Sequence, residues 1–97
     1  MELLTDEIKA KIPGLYSTDG AETHTAVCKF FDPSSSWTWY VVEGTEQDDG
    51  NWMFFGLVEG FEREWGYFSL DELQGVTGSL GLGIERDLYF EPEAIAL

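Results

Sequence analysis

The chain is poor in cations. Its 97 residues hold five Lys+Arg against 19 Asp+Glu, with one histidine and one cysteine. A single cysteine excludes an intramolecular disulfide and a Cys₄-type zinc site, and it suits a reducing cytoplasm. The formal net charge is −14 and the sequence pI about 4.1. So few Lys and Arg argue against direct electrostatic binding to nucleic acid or to an anionic membrane, because both need clustered positive charge. No apolar run approaches the ~20 residues of a membrane-spanning helix, and the acidic, amphipathic N-terminus does not resemble a signal peptide. What is present argues for a folded protein. Hydrophobic residues make up 43% of the chain and aromatics 15%, far above the content of a disordered acidic tail. The length predicts one acidic domain over residues 1–97.

The pattern predicts an α+β fold. Thr5 caps a short helix with Asp6 and Glu7 in its first turn and an apolar stripe of Leu4, Ile8 and Ile12; Pro13-Gly14 ends it. Tyr16 to Thr23 reads as an exposed loop. Strands are expected over Ala26–Phe31, Trp37–Glu43, Trp52–Glu59 and Trp65–Phe68. Asp49-Gly50 turns the hairpin between the middle two. Ser69 with Glu72 matches a capping box, predicting a second short helix that ends at Gly75. The glycines from Gly75 to Gly83 then make an irregular loop, and Leu88–Phe90 forms a last short strand. Short connections favour a four- or five-stranded, mainly antiparallel meander with two short helices.

Alternation puts Trp37, Trp39 and Val41 on one face of their strand, opposite Thr38, Tyr40 and Val42. It sets Met53, Phe55 and Leu57 of the next strand opposite Trp52, Phe54 and Val58. Both faces are apolar, which leaves two outcomes. Either the C-terminal segment folds over one face and the rings are core, or rings such as Trp37, Trp39 and Trp52 form a partner or homo-oligomer interface.

Residues with catalytic potential are sparse. His24 and Cys28, four apart on one expected strand, share a face but have no orienting partner; they read as an edge histidine and a buried structural cysteine. Two such side chains are too few for zinc. The acidic turn Glu46 to Asn51 lacks the spacing of a calcium loop, and the glycines of Gly75 to Gly83 match no phosphate-binding motif. Carboxylate pairs are so abundant that none singles out an acid–base site; a small hydrolase or sugar binder would need a cleft and a catalytic separation. Neither a catalytic residue nor a cofactor or metal is assigned, so a non-enzymatic binder is expected.

Several ordered strings carry a resemblance: Lys11 to Thr18 (KIPGLYST), Trp37 to Tyr40 (WTWY), Phe54 to Val58 (FFGLV), Gly66 to Leu70 (GYFSL) and Ile84 to Pro92 (IERDLYFEP). Together they resemble the family catalogued as domain of unknown function 2958, over nearly the whole span from Lys11 to Pro92. The family brings no established catalytic residues. The resemblance implies a bacterial, mobile-element setting of plasmids and phages, in which small acidic proteins often counter host defence.

In that setting the charge acquires a use. A domain of this size is ~30 Å across, and ~30 Å of duplex carries ~18 phosphates, close to the 19 carboxylates of the chain. The richest region holds Glu43, Glu46, Asp48, Asp49, Glu59, Glu62, Glu64, Asp71 and Glu72 against Arg63 alone. Gathered on one face, these form an acidic ridge for the basic nucleic-acid-binding surface of a CRISPR effector or restriction enzyme. Spread around the domain, they serve only solubility. Arg86, between Glu85 and Asp87, reads as an anchor for the C-terminal segment through a carboxylate pair, or as a recognition residue beside the glycine loop.

Overall fold

The computed structural model describes residues 2–76 and 81–96. Thr5 Oγ1 accepts the Ile8 N–H at 3.3 Å and caps a single helical turn, α1 (Asp6–Lys9). The chain continues past it in tighter bonds, Lys11 N–H to Ile8 O at 2.9 Å and Ile12 N–H to Lys9 O at 3.4 Å. Leu4 is buried and Ile8 and Ile12 pack on the same core, so the expected stripe forms although the helix itself is one turn long.

The main sheet contains β2 (Cys28–Phe31), β3 (Thr38–Glu46), β4 (Trp52–Glu59), β5 (Arg63–Ser69) and β6 (Glu85–Arg86), in the order β5-β4-β3-β2-β6. All its pairings are antiparallel. β2 through β5 form the expected meander, and β6 returns to the far edge beside β2. Ser69 Oγ accepts the Glu72 N–H at 3.1 Å and starts α2 (Leu70–Gly75) where the capping box placed it. Much of the glycine loop that follows lies outside the described residues.

Two strand expectations are corrected. The strand expected at Ala26–Phe31 is divided at Val27, whose N–H donates to Val41 O at 2.8 Å. The part before it, β1 (Thr23–Ala26), belongs to a separate two-stranded sheet with β7 (Glu93–Ala96). Leu88–Phe90 is a turn rather than a strand. Asp87 Oδ1 accepts the Tyr89 N–H at 2.9 Å, and this local bond competes with the ladder. Leu88 and Tyr89 are exposed at its tip.

The two sheets and two helices enclose two cores. Phe30, Val41, Phe54, Phe68 and Cys28 pack against Leu3, Leu4, Leu73 and Ile84 on one face of the main sheet. On the other, Leu57 meets Ala26 and Ile95 of the β1–β7 pair, with Tyr40, Trp65 and Phe90 alongside. The C-terminal segment therefore covers the Tyr40–Leu57 face and the N-terminal segment with α2 the other, while Trp37 stays only partly buried, so neither of the two outcomes holds whole. This explains how both faces of β4 can be apolar.

A β-bulge breaks the alternation of β3. Val41 pairs with Gly56 and Glu43 with Phe55, leaving Val42 as the extra residue. Without it, Glu43 would share the face of Val41. With it, Glu43 turns to the opposite face, beside Phe55. Gly56 permits the bulge, since a Cβ there would sit 1.8 Å from the Tyr40 carbonyl oxygen.

Candidate functional site

The nine acids of the expected ridge do not form one surface. Five gather at the end of the sheet where β3 turns into β4. The turn is closed by Gln47 N–H to Asn51 O at 2.7 Å, and Gly50 supplies its positive φ of 86°. Asn51 Oδ1 accepts both the Trp52 N–H at 2.9 Å and the Asp71 N–H at 3.0 Å, tying the turn to the start of α2. Glu46, Asp48, Asp49, Asp71 and Glu72 are thus brought to one end, all exposed. The lysines are engaged elsewhere: Lys9 with Asp6 at 3.7 Å, Lys11 with Glu7 at 3.6 Å, and Lys29 with Asp87 at 3.9 Å.

Glu59, Glu62 and Glu64 lie at the other end of β4, about 24 Å away at ~3.4 Å per residue. Here the acids adjoin rings. Trp37, Val58, Phe61, Glu62 and Glu64 line a groove of about 250 Å³. Phe61, in the β4–β5 turn, is 96% exposed and meets Trp37 edge-on at 5.6 Å; Trp37 and Trp39 are 6.0 Å apart. On the reverse face a wider pocket of about 470 Å³ contains Tyr40, Glu59, Arg63 and Glu93. Burial, then the Glu59 and Glu93 carboxylates, hold the Tyr40 phenol above its ordinary pKa.

Glu43, the ninth acid, is withdrawn from any ridge, being 2% exposed. Its Oε1 accepts the Tyr16 N–H at 2.8 Å and its Oε2 the Thr18 N–H at 2.9 Å; the Thr18 hydroxyl also donates to it. Thr18 Oγ1 in turn lies 2.9 Å from His24 Nδ1. Burial pushes the Glu43 carboxyl up, but the bonds from Thr18 and Tyr16 and the nearby His24 outweigh it and hold it below the usual range. The loop before β1 is clamped to the sheet in this way, with Tyr16 held at a φ of +68°.

A protein-family profile described as "Protein of unknown function (DUF2958)" matches residues 3–96. The chain belongs to this family. Comparison with curated proteins and with solved structures gives no match. Membership agrees with the strings read from Lys11 to Pro92 and brings no site residues to this DUF2958 domain.

Other expected positions in this family member are rearranged. Trp52 is buried and stacks on Phe54 at 6.2 Å, so it is core, apart from the Trp37–Trp39 surface. His24 and Cys28 do not share a face: His24 packs between Phe55 and Trp65, whereas Cys28 lies in the other core. Nor is His24 an edge residue in exposure, being 7% accessible. Burial pushes the Cys28 thiol up to about 12, against a smaller opposing effect of Arg86, which suits a buried cysteine held as the neutral thiol. Arg86 anchors the N-terminal backbone, with Nη1 donating to Glu2 O at 2.6 Å and Leu3 O at 2.8 Å. Among the described residues, no group of three or more His, Cys, Asp or Glu is placed to hold a metal, and no helix is long and apolar enough to cross a membrane. Phe61 is not among the residues expected at a binding surface. The signal was available: a large ring in a turn between Gly60 and Glu62.

Proposed function

We propose that this DUF2958 protein is a non-enzymatic, cytoplasmic inhibitor carried by a mobile element. It binds a basic nucleic-acid-binding surface on a host defence complex, a CRISPR effector or a restriction enzyme, and competes with DNA. The supporting observation is the joining of five exposed acids, Glu46, Asp48, Asp49, Asp71 and Glu72, through Asn51. The interaction is local rather than a mimic of the whole duplex. Five charges correspond to the phosphates along roughly 8 to 9 Å of double helix, well short of the 39 Å long dimension of the molecule.

Such an end steers association toward a Lys/Arg-lined groove and suits a partner whose DNA path is narrow. The test is displacement of a labelled target duplex from a CRISPR effector and from a restriction enzyme at low salt. Displacement by the natural protein, lost when Glu46, Asp48 and Asp49 are changed to Lys, is the expected result. Equal displacement by the triple variant would refute the charge-based reading, and unchanged DNA binding in both systems would refute the inhibitor itself.

A further inference from the structure

We infer that the groove between Trp37 and Phe61 receives an arginine side chain presented by a partner protein. This inference is independent of the acidic end near Asn51, because the groove lies at the opposite end of β4.

The walls are fixed by packing. Trp37 lies directly over Gly60, where a Cβ would come within 2.3 Å of its Cζ3 and Cη2 atoms. Any larger residue at Gly60 would push the indole away, so the glycine keeps the ring against the turn. Phe61 then stands at 82° to that indole and is almost wholly accessible. The rim is negative. Glu64 is directly opposite Val58, and Val58 opposite Trp39, so Glu64 shares the face of the groove. Arg63 pairs with Glu59 and lines the pocket on the reverse face instead. The groove is thus lined by apolar rings and two carboxylates, with no cation among its lining residues.

This combination selects a planar cation on an aliphatic stem. A guanidinium can stack on the exposed Phe61 ring while its N–H fork reaches a carboxylate, and its methylenes lie along the partly buried Trp37. A lysine ammonium is more strongly hydrated and offers no plane to stack. A neutral side chain of the same shape leaves the carboxylates unused.

The probe is an acetylated, amidated Gly-Gly-Arg-Gly-Gly peptide, titrated while the Trp37 indole N–H resonance is followed by NMR. That resonance is assigned by its loss in Trp37→Phe. Saturable movement is expected, with affinity falling about tenfold or more when the central residue is lysine or citrulline. Phe61→Ala and the double change Glu62→Gln with Glu64→Gln should each weaken binding by about tenfold. All three positions in these variants are exposed, and near-UV circular dichroism confirms the fold. The inference is overturned if the Trp37 resonance does not move saturably, if citrulline binds as well as arginine, or if Phe61→Ala leaves affinity unchanged. It is equally overturned if the resonance depends on protein concentration alone, since a second copy would then be the occupant.

Discussion

The two ends of β4 carry the same kind of charge in different surroundings. At the Trp52 end five carboxylates project from a turn and a helix start, and the adjacent ring is buried. At the Glu59 end Glu62 and Glu64 adjoin Trp37 and Phe61, while Glu59 faces Tyr40 on the reverse side. Charge in open water acts over a Debye length and is weakened by salt, whereas a carboxylate beside a ring acts by contact and desolvation. The acids expected as one ridge therefore fall on two surfaces with different physics. Composition gives the amount of charge, while strand length decides how far apart it is held.

The largest effect is expected where the two ends are joined. Gly56→Ala would drive a methyl group into the Tyr40 carbonyl, 1.8 Å from an ideal Cβ. It should destabilise the fold by about 3 kcal/mol or more, and both ends should lose function together in a denaturant titration. Changing Glu46, Asp48 and Asp49 to Lys separates them instead. Affinity for the basic partner should fall roughly 100-fold, or about 2.7 kcal/mol, with the Arg-peptide affinity unchanged.

Next comes the clamp between the ends. Glu43→Gln keeps the shape but removes the charge that receives the Tyr16 and Thr18 donors, which should cost about 1–3 kcal/mol at pH 7. The Glu43 carboxyl is held below its ordinary value in the folded state, so its stabilisation is complete above the unfolded-state value of about 4.3. It is lost as pH falls through the lowered folded value. The gap in melting temperature between the natural protein and Glu43→Gln should therefore close on acidification; a gap that widens would contradict the assignment. The smallest stability effect belongs to Phe61→Ala, within about 0.5 kcal/mol, because the ring is 96% exposed.

Much of the scaffold was legible in the residues. The four-strand meander follows from short connections and aromatic, β-branched runs, and α2 begins at the Ser69 cap that its capping box marks. The division at Val27 was not legible, because it depends on a long-range bond to Val41 rather than on local propensity. The turn at Asp87 was hidden by a β-prone Leu-Tyr-Phe string, although aspartate is a turn former. The site was less legible than the fold. Alternation places Glu43 on the face of Val41, and only the bulge opposite Gly56 reverses it. The number of acids between Glu43 and Glu72 is plain in the sequence, but β4 separates them by its full length.

Under the two proposals the Asn51 end binds a partner through long-range charge and the Trp37 end by contact. The most direct measurement is the salt dependence of DNA displacement from a defence effector, taken beside that of Arg-peptide binding on the same protein. Between about 50 and 200 mM salt, displacement should weaken roughly tenfold while peptide affinity changes less than about threefold. Displacement that is indifferent to salt, or a peptide affinity that falls in parallel with it, would contradict the account.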